Sequence, residues 1–197
     1  MKLNEPLNRA EESNWQEDLA LARAVQRRDR KATAEFVDAN ADAIHRHVRF
    51  RLVHRPDAVE DIVQDVFLAA LANLSAFKGS SSLRTWLLGI ARHKVEDYYR
   101  SRFRSLESIE EQDDDPSAST ISASQPQPHE FIDRERLDEK VQAVMSALPE
   151  YYAMALLWRY WDERSTREIA SLIGKTEKAV ERLLARARER FRREWKT

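Results

Sequence analysis

Residues Thr166–Arg193, TREIASLIGKTEKAVERLLARARERFRR, decide the fold of the C-terminal part of the chain, because a single glycine interrupts an otherwise strongly helix-forming run. Before that glycine, Ile169 and Ile173 lie on one helical face. Gly174 can adopt a positive φ and end the first helix in a tight turn. Thr176 is a suitable N-cap for the next helix. A short helix, a glycine turn and a longer helix form the helix-turn-helix arrangement, whose second helix enters a DNA major groove.

The second of these helices has two interpretations. Its apolar residues are expected to pack inward: Val180, Leu183, Leu184 and Ala187. Its polar side is rich in arginine, which favours contact with DNA phosphates. In the alternative interpretation this polar side is only solvent-exposed, and its charges form Glu–Arg ion pairs such as Glu189 and Arg193. The excess of arginine and the preceding glycine turn favour DNA binding.

Composition restricts the chain to a few classes of protein. It has 197 residues, only three glycines and a formal net charge of −1, and its abundant Ala, Leu, Arg and Glu predict an all-α protein. It contains no cysteine, which excludes disulfides and thiolate metal sites. The N-terminus lacks the apolar segment of a secretory signal, and no run approaches the ~18 apolar residues of a membrane span. We therefore expect a cytoplasmic protein without membrane insertion.

Hydrophobic periodicity predicts two small helical domains joined by a linker. Residues 1–17 are expected to form an N-terminal tail, and residues 18–104 carry four apolar stripes at helical spacing. Residues 105–130 are acidic and rich in Ser, Pro and Gln, which predicts a flexible, disordered linker. Helical periodicity returns over residues 131–197. At ~3.3 Å per residue the linker spans at most about 85 Å, so the two domains can occupy sites two DNA turns apart.

Two consecutive helices of the N-terminal part carry opposite charges. The first, DAVEDIVQDVFLAALANLSAFKG, places Asp61, Gln64 and Asp65 on or near its polar side, either as a solvated exterior or as a dock for a basic partner surface. The second, SSLRTWLLGIARHKVEDYYRSRFR, interleaves basic and aromatic residues, a composition that suits a nucleic-acid backbone and unstacked bases. Arg92 and Tyr99 are therefore candidates for contact with nucleic acid.

No catalytic or metal-binding pattern stands out in the sequence. Two histidines spaced two apart on a helix, His45 and His47, point to different faces, and no carboxylate pattern completes a coordination shell around them or His54. These imidazoles are expected to lie at the surface or to contact backbone. We expect neither an enzyme nor a metal or cofactor site.

Taken together, these segments resemble bacterial RNA polymerase sigma factors of the extracytoplasmic-function type (group 4 of the sigma-70 family). The N-terminal match is DAVEDIVQDVFLAAL, followed by L-x-x-F-K-G and RTWLLGIARHKVEDYYR. The C-terminal match begins at LPEYYAMALLWRYWDERSTREIASLIG and ends in KAVERLLARARERF. The resemblance covers about residues 18–104 and 131–195. It implies a helical bundle like sigma region 2, then the flexible acidic linker, then a helix-turn-helix domain like sigma region 4.

The resemblance also implies partners and site residues. The partners would be promoter DNA and core RNA polymerase, the latter contacted at its β′ clamp helices and β flap; relatives are often inhibited by an anti-sigma factor. The positions that match the clamp dock are Asp61, Gln64, Asp65 and Phe67. Those that match the −10 element contacts are Lys78, Ser80, Ser81, Arg84, Arg92, His93, Tyr99 and Arg100. Those that match the −35 element contacts are Lys175, Thr176, Lys178, Ala179, Glu181, Arg182, Arg186 and Arg188.

One pair of positions departs from the family pattern. Glu181 and Leu183 stand where many relatives carry Lys and Arg. Glu181 either accepts a hydrogen bond from cytosine N4 or faces solvent. The alternative function within DNA binding is a standalone dimeric helix-turn-helix regulator, which would bind palindromic DNA tightly without polymerase. The alternatives from other classes are a helical metal-dependent hydrolase and a protein-interaction adaptor.

Overall fold

The computed structural model describes residues 5–105 and 134–196, with side chains described over 16–103, 137 and 139–196. These residues contain helices and no strand, which confirms the all-α prediction. The helices are α1 (Glu5–Gln26), α2 (Arg30–Arg51), α3 (Val59–Asn73), α4 (Leu83–Ser105), α5 (Arg134–Ala147), α6 (Glu150–Leu156), α7 (Thr166–Ile173) and α8 (Glu177–Trp195). Short 3-10 turns, Pro56–Ala58 and Leu74–Ala76, precede and follow α3, and a π-helical turn, Leu157–Trp161, continues α6.

Two of the predicted boundaries differ from the observed ones. Helix α1 begins at Glu5, inside the segment 1–17 that we expected to be a tail. Ser105, the first residue of the predicted linker, is the last residue of α4. The rest of that linker, and the start of the second helical segment at residues 131–133, lie outside the described residues. The chain divides into two compact units, residues 1–97 and 98–197, so the division falls inside α4.

The first unit is a helical bundle with a continuous apolar core. Helix α2 packs against both α1 and α3, and the rings of Phe36 and Phe67 meet edge to face with centroids 6.1 Å apart. The residues that fill this core are drawn from all four helices and their connections: Ala22, Val25, Phe36, Ile44, Val48, Leu52, Val66, Ala70, Leu74, Leu87, Ala91 and Val95. Burial of each large apolar side chain contributes about 1.5–3 kcal/mol, which makes this core the main source of the unit's stability.

Helix α2 begins where its sequence provides an N-cap. The carboxylate of Asp29 accepts hydrogen bonds from the backbone N–H groups of Lys31 and Ala32, at 2.9 and 3.0 Å. It thereby satisfies two of the amides that have no partner inside the helix. Arg28, just before the cap, has a φ of 63°, so the tight turn out of α1 uses a left-handed residue without a glycine.

The second unit contains the predicted helix-turn-helix. Gly174 has φ 71° and ψ 32°, and its N–H donates to the carbonyl of Ala170, as the predicted glycine turn requires. Thr176 caps α8, its hydroxyl accepting the N–H of Ala179 at 3.2 Å. The four side chains predicted to pack inward from α8 are all buried: Val180, Leu183, Leu184 and Ala187. Helix α8 packs against α5, α6 and α7, so its orientation is determined by three neighbours.

The start of α7 is held by a reciprocal capping box. The Ser165 hydroxyl accepts the N–H of Glu168 at 3.2 Å, and the Glu168 carboxylate accepts the Ser165 N–H at 2.8 Å. Hydrogen bonds from the Ser165 hydroxyl and N–H, with the nearby Arg164 guanidinium, lower the pKa of Glu168. The first helix of the motif is therefore stabilised locally, by residues within its own first turn.

No helix within the described residues is long and apolar enough to cross a membrane.

Candidate nucleic-acid and protein-binding surfaces

Helix α8 exposes a basic face on the side opposite the core. Lys178, Glu181, Arg182 and Arg188 are exposed, while Lys175, Ala179 and Arg186 are half-buried. Among the described side chains, Lys178 and Arg182 form no ion pair. Lys178 lies in the first turn of α8, where the positive end of the helix dipole also attracts anions, and Arg182 lies in the second turn. This half of the helix can therefore attract a phosphate backbone.

The C-terminal half of α8 is different because its arginines are paired. Arg193 donates to Glu189 at 3.3 Å, Arg192 lies 3.9 Å from the same carboxylate, and Arg190 pairs with Glu194 at 3.0 Å. The N-terminal half of α8 therefore has cations without ion pairs, as the DNA-binding interpretation requires. The C-terminal half has a solvent-exposed face of salt bridges, as the alternative interpretation requires.

Three of the predicted −35 positions have structural roles or unusual surroundings. The Thr176 hydroxyl is engaged as the cap of α8. The Nε of Arg186 is buried without a hydrogen-bond partner in the structure. The Nη1 of Arg188 donates to the hydroxyl of Tyr160 at 3.4 Å, which links α8 to the exposed π-helical turn. Leu183, one of the two departures from the family pattern, is core, which leaves Glu181 as the exposed member of that pair.

Helix α3 exposes an acidic face that is followed, toward the C-terminal end of the helix, by exposed leucines. Asp61, Gln64 and Asp65 are exposed, as predicted for a docking surface. Their spacing of three and four residues continues to Leu68, which lies on the same side of the helix and is 58% exposed. Leu71, also exposed, extends the apolar end. We call the four residues Asp61, Gln64, Asp65 and Leu68 the α3 face.

The structure corrects the apolar member of the predicted dock. Phe67 is only 9% exposed and its ring packs on Phe36 inside the core. It supports α3 from behind and cannot contact a partner at this surface. The neighbouring Leu68 takes the exposed position, and counting i, i+3, i+4 and i+7 from Asp61 along the sequence would have identified it.

A third surface consists of the loop after α3 and the first turns of α4. Lys78, Ser80 and Arg84 are exposed and Ser81 is half-buried. The Nη2 of Arg84 donates to the carbonyl of Ala39 in α2 at 3.2 Å, which restricts where its guanidinium can lie. Trp86 is half-buried, and the centroid of its ring lies 5.7 Å from that of Phe77.

Further along α4, a buried carboxylate organises two of the predicted DNA contacts. Glu96 is 3% exposed. Its Oε1 accepts a hydrogen bond from Arg92 Nε at 3.3 Å, and its Oε2 lies 3.5 Å from Nδ1 of the exposed His93. Sequence reasoning missed Glu96 because a glutamate in a charged helix is usually solvated. The available signal was its spacing, three residues after His93 and four after Arg92, which places the three side chains on one side of the helix.

Tyr99, predicted to contact an exposed base, is a core residue. Its exposure is 0%, and its ring stacks on Phe103 at 5.8 Å and meets Trp158 edge to face at 6.2 Å. The physical reason is the mutual attraction of three large apolar rings. Arg100, the next predicted contact, is half-buried.

Burial perturbs one imidazole of the first unit. Desolvation, with smaller contributions from the Arg51 and Arg92 guanidinium groups, lowers the pKa of His47 to about 4. Arg51 Nη1 lies 3.2 Å from His47 Nδ1, so the neutral ring accepts that hydrogen bond. Within the described side chains, no group of three His, Asp or Glu residues is arranged to hold a metal ion.

Two protein-family models match separate parts of the chain. The model described as Sigma-70 region 2 matches residues 36–105, and the model described as Sigma-70, region 4 matches residues 138–191. The first match contains most of α2 and all of α3 and α4, and hence the α3 face and the loop after α3. The second contains α7 and most of α8, the two helices of the helix-turn-helix.

Curated relatives align over most of their own length. The RNA polymerase sigma factor YlaC of Bacillus subtilis (strain 168) is 30% identical over 139 residues, 71% of this chain and 78% of the relative. ECF RNA polymerase sigma factor SigW of the same organism is 27% identical over 179 residues, 86% of this chain and 92% of the relative. The ECF RNA polymerase sigma-E factor of Escherichia coli (strain K12) is 29% identical over 180 residues, 87% and 91%.

Two solved structures show a likeness at low TM-score. CnrH, solved in complex with the cytosolic domain of CnrY, is 23% identical, with a TM-score of 0.42 and coverage of 89% of this chain and 95% of CnrH. RpoE of Bartonella quintana, solved in a co-crystal with the anti-sigma factor NepR, is 20% identical, with a TM-score of 0.42 and coverage of 83% and 96%.

Proposed function

Since this chain belongs to the RNA polymerase sigma factors of the extracytoplasmic-function type, a group of the sigma-70 family, we propose that it binds core polymerase through α3 and places the enzyme on promoters with −10 and −35 elements. The observation that carries the proposal is the presence of two matched regions in one chain. One exposes an acidic face on α3, and the other exposes a basic face at the start of a helix-turn-helix.

The α3 face is the proposed dock for the β′ clamp helices. Three polar or acidic side chains give the orientation and on-rate of encounter with a basic partner. Leu68 adds apolar area beside them, and an exposed leucine surrounded by polar groups is the arrangement that protein interfaces bury at their centre. Lys94 lies 3.7 Å from Asp65, an exposed contact that a stronger partner cation can replace.

The loop after α3 and the start of α4 are the proposed −10 contact. Lys78, Ser80, Ser81 and Arg84 present hydroxyl and cationic groups at one end of the first unit. Arg92 and His93, held by Glu96, continue this surface along α4. Such a combination contacts backbone phosphate and the polar edges of exposed bases. Tyr99 is omitted from this proposed set because it is buried.

The start of α8 is the proposed −35 contact, made to duplex DNA. Lys178 and Arg182 would neutralise phosphates, while Glu181 and Ala179 would face base edges from the first turns of the helix. Glu181 accepts hydrogen bonds only, so the base that suits it is cytosine, through N4. Arg186 and Arg188 would act as further phosphate contacts.

The proposed domain boundaries follow from where these three contact surfaces lie in the chain. We propose residues 18–104 as the part that contacts core polymerase and the −10 element, and residues 131–197 as the part that contacts the −35 element and the β flap, with 105–130 as linker. The protein would act as an initiation subunit without catalysis of its own, in the cytoplasm where its polymerase works. An anti-sigma factor is a further partner that the family resemblance predicts.

The test is a titration of the purified protein against bacterial core RNA polymerase, followed by transcription on a pool of genomic DNA fragments. Tight binding and new, discrete start sites support the proposal and reveal the promoter sequence. Protein that is folded and free of inhibitor, yet fails to bind core polymerase, contradicts it. Tight binding of the isolated protein to palindromic DNA would instead indicate the standalone dimeric regulator.

A further inference from the structure

The loop between α3 and α4, residues 74–82, is fastened to a helix that lies outside the family match. The matched region begins at residue 36, whereas α1 ends at Gln26. Helix α1 nevertheless makes three separate contacts with this loop and its edges, each through a different side chain. They involve Asp18, Leu19 and Gln26.

Asp18 completes the N-terminal cap of α4. Its Oδ2 accepts the backbone N–H of Leu83, the first residue of α4, at 2.7 Å, across 65 residues of sequence. Ser82, just before the helix, accepts the N–H of Thr85 at 3.1 Å. Two of the amides that lack an intrahelical partner are thus satisfied, one locally and one by α1. A carboxylate is also favoured at this positive end of the helix dipole.

Leu19 lies directly against the turn of the loop. Gly79 has a φ of +72°, and a Cβ added to it would lie 2.7 Å from Leu19 Cδ1 and 2.8 Å from Leu19 Cγ. The backbone at Gly79 therefore approaches the Leu19 side chain so closely that a Cβ at this position would force Leu19 to shift. This position is flanked by Lys78 and Ser80, two of the proposed −10 contacts.

Gln26 holds the other end of the loop. Its Nε2 donates to the carbonyl of Leu74 at 3.0 Å, where α3 passes into the 3-10 turn. Gln26 follows Leu19 by seven residues, two helical turns, so the two side chains share one face of α1. The contacts of α1 therefore hold the loop at its start, its middle and its end.

We infer that Asp18, Leu19 and Gln26 are positioning residues for the −10 recognition loop, an inference that rests on the proposed function. None of them contacts DNA in this assignment. They act by holding the loop backbone, and with it Lys78, Ser80 and Ser81, in one arrangement before DNA arrives. Pre-ordering of a binding loop reduces the entropy lost on binding.

The first experiment compares three substitutions in the full-length protein. Asp18→Ala removes the acceptor for the Leu83 amide, Asp18→Asn keeps a carbonyl oxygen there, and Glu17→Ala removes a carboxylate from an exposed neighbouring position. Hydrogen exchange of the Leu83 amide should speed up about fivefold or more in Asp18→Ala, the factor to which about 1 kcal/mol of capping energy converts. The other two variants should exchange like wild type.

The second experiment measures function with the same variants. Each is assembled with core polymerase, and binding is measured to a promoter from the genomic transcription assay, prepared with a single-stranded −10 region. Asp18→Ala should weaken this binding about three- to tenfold while core affinity changes little and the thermal midpoint falls by only about 4–8 °C, the shift that about 1 kcal/mol of capping energy produces. Asp18→Asn should bind like wild type. Equal −10 binding by Asp18→Ala and wild type overturns the inference, as does failure of Asp18→Asn to rescue.

A compensating pair tests the Leu19 contact independently. Gly79→Ala should impair −10 binding through both the clash with Leu19 and its positive φ. Adding Leu19→Ala removes the clash, so the double variant should recover part of the lost binding. A double variant that binds no better than Gly79→Ala alone overturns the contact. Wild-type protein that never initiates transcription refutes the proposed function as well, whereas wild-type initiation with unaffected α1 variants refutes this inference alone.

Discussion

Arg92 and Glu96 lie one turn apart on α4, and the Nε of the arginine donates to the nearly buried carboxylate at 3.3 Å. His93 lies against the other oxygen of the same carboxylate, at 3.5 Å. Burying a carboxylate costs free energy unless it is hydrogen-bonded and paired with a cation. Arg92 and His93 therefore stabilise the buried charge of Glu96, and Glu96 in turn restricts the positions of both side chains. The polar surface of α4 is thereby coupled to the interior of the first unit.

We expect Glu96→Gln to lower the free energy of unfolding by about 1–3 kcal/mol, because it leaves charged neighbours with a weaker acceptor. It should also weaken −10 strand binding, because Arg92 and His93 lose their anchor. The measurements are urea denaturation and holoenzyme binding to a single-stranded −10 probe. The matched control is Glu189→Gln, which breaks an exposed pair with Arg193 and should change stability by less than about 0.5 kcal/mol. Equal stability loss in both variants would contradict the buried role of Glu96.

On α3, adjacent residues should separate stability from partner binding. Phe67→Ala should lower the free energy of unfolding by about 3–5 kcal/mol, because it opens a cavity beside Phe36. Leu68→Ala should leave stability within about 0.5 kcal/mol and weaken core polymerase binding about five- to tenfold, since it removes an apolar contact at the C-terminal end of the α3 face.

Charge on the same face is tested by Asp61→Lys combined with Asp65→Lys. Both side chains are exposed, so helicity by circular dichroism should be unchanged while core affinity falls and loses its wild-type salt dependence. Unchanged affinity in this double variant, or in Leu68→Ala, would remove α3 from the polymerase interface.

His47 should make the first unit sensitive to mild acid. Its pKa is about 4 in the folded protein against an ordinary value near 6.5. Between those two values the unfolded chain binds the extra proton and the folded one does not. The stability that depends on a neutral His47 is therefore fully present above about pH 6.5 and falls, by about 3 kcal/mol, as the pH drops to about 4.

The contribution of His47 is isolated by comparison with His47→Gln. Urea denaturation of both proteins at intervals from pH 7 to pH 4 gives the difference in slope, and other titrating groups cancel in that difference. The wild type should lose stability faster than the variant over this range. Parallel slopes would contradict the burial of a neutral imidazole beside Arg51 and Arg92.

The two halves of α8 should respond differently to loss of an arginine. Arg182→Ala removes an exposed cation from the proposed phosphate contacts, so duplex affinity should fall and the slope of log K against log salt should decrease by about 0.9. Arg193→Ala removes a cation already paired with Glu189 and should leave the slope near wild type. Filter binding of −35 duplex at several salt concentrations measures both, and an equal change in the two variants would refute the division of the helix.

The local features of this fold could be predicted from the sequence because they depend on residues close together in the chain. Gly174 turns with positive φ, Thr176 caps α8, and the stripe from Val180 to Ala187 packs inward, all as expected from spacing alone. Periodicity also predicted the exposed positions of Asp61, Gln64 and Asp65, since the polar face of an amphipathic helix must face water when its apolar face is buried.

Tertiary structure alone decided the features that depend on distant neighbours. Phe67 is covered by Phe36, 31 positions earlier in the chain, a contact that helical spacing does not specify. Tyr99 is removed from the surface by Trp158, 59 positions later, and Asp18 caps a helix that begins 65 residues away. Helical periodicity specifies which side of a helix is apolar, but the partner that covers it is chosen by packing between segments. The sequence by itself thus determined the helices, the caps formed by neighbouring residues and the charge of the helix faces, and packing decided which side chains on those faces are exposed for binding.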